Sequence, residues 1–520
     1  MVLAFAASSW VLAGWAGGRG IPHNDDWSLI RIAQHLAGTG EFRLLGWNRA
    51  ALAGQSWPAA ALLRLTGGGV ATLQAFHLAA AALALAAAYL LLRRSLGPGR
   101  AALGAFTLLG TPELWLLSTS VMTDALAAAL VLGSLLLGVV AVQAPHRRAA
   151  TAPLLGSLLL GLWAFTVREA ALAAPVAVLL AAALPRRSAS ASLRVLALPA
   201  GAVVAVAVLA FELWRRALAA GDPPRLGLDP AATVGHALEA LFWIALVLSP
   251  VTLCWAARWR SPRTWWAVAA AGGLAAVLRL GLDRPLFPAN YLSQRGAYVS
   301  AGLGTRAALL PDWLWLVVCG VAVVSAGVLL GRLADQVRGE KRAVRDAAAA
   351  LPVHSAFLAL TLGGLLVEDV LGQTTYSRYL LVLPPVLAAF LLREPRPARS
   401  GVRPGAASAG LLCVLCALAA VLTAGTLRSD AARWQAAASL VAQGVDPMQI
   451  AAGQEWSGWH TSGVAEHDQR DAPGDVAWWT GMFGDASECW LVAMDGRPRA
   501  GYRLERAGSG VWVFRAEGGC

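Results

Sequence analysis

The chain has 520 residues, 58% of them hydrophobic and only 14% charged, with a net charge of +12. Soluble domains run at about 25% charged, so the composition excludes a water-soluble fold for the bulk of the protein. The positive residues are almost all arginine, Lys341 being the single lysine, and they gather in short loops between apolar runs. That placement assigns the basic balance to membrane topology and not to a nucleic-acid partner. Arginine and alanine in place of lysine and isoleucine also hint at a GC-rich bacterial genome.

Apolar runs long enough to cross a hydrocarbon core of about 30 Å as helices recur along the sequence. In lipid the backbone must satisfy its own hydrogen bonds, so such runs become helices whatever their intrinsic propensity. In chain order the predicted spans are 2–18, 71–92, 101–119, 122–142, 151–168, 170–185, 194–214, 237–257, 264–281, 311–331, 348–369, 378–393 and 408–427, about thirteen transmembrane helices in all. The first run resembles a signal-peptide core, but it lacks a basic flank and a clear cleavage site, so it is expected to be retained.

The intervening loops alternate in character. Arg93, Arg94 and Arg100, then Arg147 and Arg148, Arg186, Arg187 and Arg194, Arg258, Arg260 and Arg263 fall on one parity. The same parity holds Arg332, Arg338, Lys341, Arg342 and Arg345, then Arg393, Arg396, Arg399 and Arg403. Those loops are predicted to be cytoplasmic, with the N-terminus inside and the tail outside. The opposite side carries 19–70, 215–236, 282–310 and the tail, and with them Asp25, Asp26, Glu41, Asp124, Arg168, Glu169, Asp222, Asp229, Asp283, Arg295, Arg306, Asp312, Glu368, Asp369 and Arg378. Ionisable groups at the ends of membrane helices face a cavity or a partner more readily than lipid, so the outer face is expected to hold a mixed-charge site.

Beyond residue 427 the composition changes. Residues 430–443 are Ala-rich and helical in pattern, and Gly444–Pro447 ends them. Glu488–Met494 and Val511–Ala516 read as strands between Gly-rich turns. The expected organisation is therefore a transmembrane unit over 1–427 and a small extracytoplasmic α/β domain over 428–520. Cys254, Cys319, Cys413 and Cys416 lie in apolar runs and read as core residues. Cys489 and Cys520 lie in the tail, where an oxidising compartment would allow a disulfide.

The sharpest local feature is HNDDWSLIRIAQHL at 23–36, two adjacent carboxylates before an amphipathic stretch. One reading is structural: Asn24 or Asp25 caps the helix and favours its dipole. The other adds that one carboxylate points into a cavity as a general base for an acceptor hydroxyl or amine. The two are compatible, because a pair can divide the tasks. Arg168 and Glu169 interrupt an apolar hairpin; adjacent helical residues point about 100° apart, so they need not pair with each other, and a salt bridge to another helix and a donor-binding role both stay open. Trp456 and Trp459, with Glu455 and His460, read either as a sugar-stacking surface or as the aromatic core of the tail. There is no GxxxxGK[ST] or HExxH run, and the residues neither require nor forbid a divalent ion, His23 near Asp25 included.

Taken together these motifs resemble a known family. A short first span, the Asp25–Asp26 pair, an amphipathic helix, a Gly-aromatic segment (Gly40, Phe42, Gly46, Trp47) and a second acid in SVMTDALAAAL (120–130) follow in the order found in GT-C glycosyltransferases. That class includes protein O-mannosyltransferases and lipid A aminoarabinose transferases. The runs YSRYLLVLPP (376–385) and GVDPMQIAAGQEWSGWH (444–460) resemble its bacterial family 39-like and RgtA/B/C/D-like members. The resemblance implies an inverting membrane enzyme with a GT-C-like bundle. It would move a sugar from a polyprenyl-phosphate donor to an acceptor glycan, lipid or protein outside the membrane.

By the same resemblance Asp25 matches the base, Asp26 supports it, and Asp124 orients the acceptor or the first loop. Arg378, Arg168, Arg295 and Arg306 are the candidates for the donor phosphate, because a planar guanidinium binds oxygen pairs. Glu169, Trp456 and Trp459 are candidate sugar or acceptor contacts. One departure stands out: the better-known branches carry Lys-Pro-Pro in the first loop, where this chain has Gln55 in Gly-Gln-Ser-Trp-Pro. A transporter or flippase of a lipid-linked glycan is the alternative, although such proteins place polar breaks near mid-membrane.

Overall fold

The structure is a computed structural model that describes every residue except 46–51, 185–189, 219–228, 255–261, 289–290, 299–303, 340–348, 394–404, 463–478, 480–481, 498 and 519–520, and the side chains of 190–192 and 335–339. Gly46, Trp47, Asp222, Cys520 and many of the loop arginines, among them Arg186, Arg258 and Arg396, thus lie outside the described residues.

All thirteen predicted segments contain helix, but they differ in length. Among the described residues nine helices are long and apolar enough to cross a membrane. They are α4 (Val70–Arg93), α7 (Thr123–Gln143), α8 (Arg147–Val167), α10 (Ser190–Leu218), α11 (Pro230–Val247, followed by a short turn α12, Ser249–Thr252), α13 (Pro262–Ala276, extended to Gly281 by a wider turn), α14 (Asp312–Gly339), α15 (Pro352–Val370) and α17 (Ala406–Val441). Shorter helices fill the rest: α1 (Val2–Trp15), α2 (Asp26–Thr39), α3 (Ala53–Thr66), α5 (Pro98–Phe106), α6 (Pro112–Ser118), α9 (Ala173–Ala183) and α16 (Leu383–Leu391).

The short helices have a common cause, which is a break near a polar residue. Residues 98–110 and 112–118 form a pair bent by 74°. Pro112 forces Thr111 into an extended conformation (φ −114, ψ 131), so the helix cannot run through it. Arg168 is likewise extended (φ −155, ψ 121) between α8 and the turn that opens α9. The predicted span 378–393 is helical only over Ser377–Leu380 and α16, which Pro384 and Pro385 start. Asp124 in the first turn of α7, Arg168 and Arg378 thus come together at one end of the bundle. Arg94 donates to Gln143 (3.0 and 2.8 Å) at the far end of α7, about 30 Å away at 1.5 Å per residue.

Helix α17 runs without interruption out of the bundle to Val441 and into the C-terminal sheet domain. That domain has strands β1 (Ile450–Ala451), β2 (Trp490–Ala493), β3 (Tyr502–Gly508) and β4 (Val511–Ala516) in the order β1-β2-β4-β3, with α18 (Gln454–His460) beside them. β1 pairs parallel with β2; the other two pairings are antiparallel. Alternation gives the sheet two apolar faces. Val492 and Val513 pack on Ala437 and Leu440 of α17. Leu491 and Phe514 face the other way, into a cluster with Trp479, Phe483 and Trp27. Trp27 belongs to α2, so the tail's second core is completed by the first loop. Close approach is possible there because position 458 is glycine: a Cβ would lie 2.3 Å from the Trp27 ring. Cys489 is disulfide-bonded, while Cys254, Cys319, Cys413 and Cys416 are free.

Candidate active site

The two carboxylates of the first loop have different surroundings. Asp26 is fully buried: its Oδ1 accepts from the Val121 amide at 2.8 Å and its Oδ2 from the His23 amide at 3.1 Å. Gln55 Nε2 donates to the Val121 carbonyl at 2.6 Å, so both peptide groups of Val121 are gripped. Gln55 and the second acid of the pair together clamp the turn that delivers Asp124. Asp25 is half-buried at the cap position of α2, and its carboxylate makes no capping bond to the helix amides. It acts through space on Arg378, Tyr291, Tyr298 and Tyr376. The neighbouring Asn24 adopts a left-handed conformation (φ 51), which its short polar side chain tolerates, and accepts from Tyr298 Oη at 2.7 Å.

Arg378 is the hub of this end. Its Nη1 donates to Tyr291 Oη at 3.1 Å, and its guanidinium carbon lies 5.0, 5.5 and 5.6 Å from the ring centroids of Tyr376, Tyr379 and Tyr291. Arg168 stands 4.2 Å over the Tyr379 ring and donates from Nη1 to Asp124 Oδ1. Asp124 Oδ2 is buried without a hydrogen bond. Three of the chain's six tyrosines, Tyr291, Tyr376 and Tyr379, therefore surround the two arginines, and Tyr298 packs against Tyr291 behind them. Burial pushes the Tyr291, Tyr298 and Tyr376 phenols up from their ordinary value, which keeps them protonated and available as donors at neutral pH.

Arg168, Arg378, Tyr379 and Asp124 also form the polar end of a cavity of about 460 Å³, counting its open mouth. Apart from Thr361 the remainder of its wall is apolar, with Ala127, Ala128 and Val131 of α7, Phe357 of α15, and Leu381 and Val382. Two guanidinium groups above an apolar slot suit an anionic head with a hydrocarbon tail.

Other predicted site residues lie elsewhere. Arg306 is buried and donates from Nη2 to the Tyr298 carbonyl and to Thr426 Oγ1 (3.3 Å), tying a loop to α17. Arg295 is exposed in a turn, and neither residue lines the cavity. Glu169 pairs with Arg215 at 3.6 Å and Arg168 with Asp124, so the adjacent charges have separate partners. Trp456 is buried in the tail, edge-on to Trp434 (5.0 Å), and donates to the Pro447 carbonyl at 3.0 Å. No open ring face is left for a sugar. Trp459 is half-buried between the tail and the bundle. Among the described residues no group of three or more His, Cys, Asp or Glu side chains could hold a metal ion.

Sequence reasoning missed the tyrosines and also Glu113, which is fully buried in α6 and accepts from Trp243 Nε1 at 2.7 Å. Two signals were available: the scarcity of tyrosine outside 291–298 and 376–379, and an acid after Gly-Thr-Pro inside an apolar run.

A buried ionic chain connects the first loop to the tail. His23 Nδ1 lies 3.1 Å from Asp430 Oδ2, and Arg433 Nη2 donates to Asp430 Oδ1 (3.1 Å) and to Glu455. Burial opposes a charge on His23, but the Asp430 hydrogen bond and charge, with the Asp26 charge added, hold its pKa above the ordinary 6.5. Burial pushes the Asp26 carboxyl from 3.8 up to about 7, against the His23 charge and two backbone amides. Both groups bind protons more tightly folded than unfolded, so the stability they contribute is present at acid pH and lost as pH rises. For Asp26 the loss runs from 3.8 to about 7, and for His23 it begins near 6.5. Thermal unfolding in detergent should therefore shift to lower temperature between about pH 6 and pH 8. Asp26→Asn should shrink that shift; an equal shift in both proteins would assign it to other groups.

No protein-family model and no curated protein matches the chain. Among solved structures the chain is similar to ArnT from Cupriavidus metallidurans in the apo state, at 16% identity over 86% of this chain and 80% of that one, with a TM-score of 0.40. It is also similar to the crystal structure of ArnT from Cupriavidus metallidurans bound to undecaprenyl phosphate, at 16% identity over 86% of this chain and 81% of that one, with a TM-score of 0.35.

Proposed function

We propose that this protein is a GT-C-type membrane glycosyltransferase that takes a sugar from a polyprenyl-phosphate donor and transfers it, with inversion, to an acceptor outside the cytoplasm. The observation that carries the reading is the meeting of three things at one end of the bundle. These are the half-buried Asp25, the tyrosine cage around Arg378 and Arg168, and the apolar slot below the two arginines. The order of the sequence motifs supports it independently.

In this mechanism the polyprenyl chain lies along α7 and Val382, and its phosphate meets Arg378 and Arg168. Asp25 takes the proton of the acceptor hydroxyl or amine as that atom attacks the sugar's anomeric carbon. The bond to phosphate oxygen breaks in the same displacement, which inverts the carbon and leaves polyprenyl phosphate. The two guanidinium groups and the phenol donors offset the charge that develops on the leaving oxygen. Asp124 holds Arg168, and Asp26 fixes the Asp124 turn. No divalent ion is required by this scheme. The site end faces the extracytoplasmic side of a bacterial cytoplasmic membrane, in keeping with the basic loops at the other end and with a disulfide in the tail.

The bend at Thr111 and the acid Glu113 beside it favour a second reading, because transporters use broken helices with polar groups at the break. A panel of radiolabelled polyprenyl-phosphate sugars separates the two. Purified wild-type protein should transfer or hydrolyse at least one sugar. Folded protein that acts on none of them, yet moves a lipid-linked glycan across a vesicle membrane, would be a transporter.

A further inference from the structure

Arg378 lies on a segment with little regular structure: between α15 and α16 only Ser377–Leu380 forms a helical turn. An arginine aims a phosphate only if its backbone is held still. One buried hydrogen bond and one close polar approach flank this segment, and both lead to α11. On one side Thr375 Oγ1 donates to Asp369 Oδ1 at 2.6 Å, and His236 Nδ1 lies 3.2 Å from the same oxygen. On the other side the Ser377 hydroxyl faces the Glu113 carboxylate, whose Oε1 accepts from Trp243 Nε1 at 2.7 Å.

The spacings match. Thr375 and Ser377 bracket Tyr376 and directly precede Arg378. His236 and Trp243 are seven residues apart, two turns along one face of α11. Glu113 Oε2 and Ser377 Oγ are both buried with no completed hydrogen bond. A carboxylate kept in an apolar bundle is costly, and an apolar side chain of the same volume would pack there at less cost. For fold alone, the acid is the poorer choice. The side-chain donors that face it are the indole that fixes it and the hydroxyl next to Arg378.

We propose that Glu113 and Asp369 are positioning residues, two buried acids set by Trp243 and His236 of α11 that hold Ser377 and Thr375 and so aim the Arg378 guanidinium. The proposal rests on the donor-phosphate reading above, and the test keeps the two apart. Binding of undecaprenyl phosphate and of undecaprenol, which lacks the phosphate, is measured on the purified full-length protein in detergent. Wild type should prefer the phosphate, and Arg378→Ala should abolish that preference. Ser377→Ala and Thr375→Val should each weaken phosphate binding about five- to tenfold and leave undecaprenol binding unchanged. Glu113→Gln, which can still accept from Trp243 and donate to Ser377, should retain most of the affinity that Glu113→Ala loses. Wild-type phosphate affinity in both hydroxyl variants would overturn the positioning role, and so would equal weakening for both lipids. An Arg378→Ala protein that keeps the preference would overturn the donor reading beneath it.

Discussion

Asp25→Asn is expected to lower sugar transfer by roughly 10²- to 10⁴-fold, the usual contribution of a positioned general base. Donor affinity should change little. The substitution is nearly isosteric, and asparagine is as good a cap as aspartate, so α2 should form as before. The Asp25 carboxylate makes no capping bond to lose. The phosphate end of the site is built from Arg378, Arg168 and Tyr379, which the change leaves in place. A fall in kcat with the donor KM held within a few-fold is the signature of a lost base. Transfer within about threefold of wild type would remove Asp25 from that role, since a base supplies far more than this.

The second large effect concerns stability. Arg433 is 2% exposed and serves Asp430, Glu455 and the Ala452 carbonyl at once. Arg433→Met would strip the buried Glu455 carboxylate of its cation and leave Asp430 with His23 alone, a loss of about 3–5 kcal/mol. The damage should centre on the tail, because the chain His23–Asp430–Arg433–Glu455 joins the first loop to α17 and α18. Thermal unfolding in detergent should fall sharply, and limited proteolysis should release the tail first. A combined Arg433→Met, Asp430→Asn, Glu455→Gln protein should recover part of the loss, since it carries no stranded charge. An unchanged unfolding midpoint in the single variant would show that the chain does not hold the tail.

The bundle was legible because each span is a local property: an apolar run has one outcome in lipid. The polar end was legible for a similar reason, since loop charges alternate with the spans. β2 and β4 could be read from alternation, while β3, whose residues are mostly exposed, gave no apolar pattern. The resemblance divided the roles of Asp25 and Asp26, but what holds Asp26 could not be read from the residues, because its partner Val121 lies 95 residues away. Arg306 is a similar case: in the sequence a guanidinium in this loop fits a phosphate or a carbonyl equally well, and in the structure it donates to the Tyr298 carbonyl and Thr426. The break at Thr111 sat inside a run, 101–119, apolar enough to read as one continuous helix, whereas the break at Arg168 fell at the predicted boundary between 151–168 and 170–185. Only the Pro112 signal marked the first.

The insertion of Trp27 into the tail has a consequence for biosynthesis. α2 leaves the ribosome early, whereas Trp479, Leu491 and Phe514, which close over Trp27, come last. At about 5–20 residues per second the interval is on the order of 20 to 90 s. Throughout it the loop that carries Asp25 lacks its outer support. A nascent or truncated chain can therefore fill the membrane with its helices while Trp27 still lacks the tail residues that close over it.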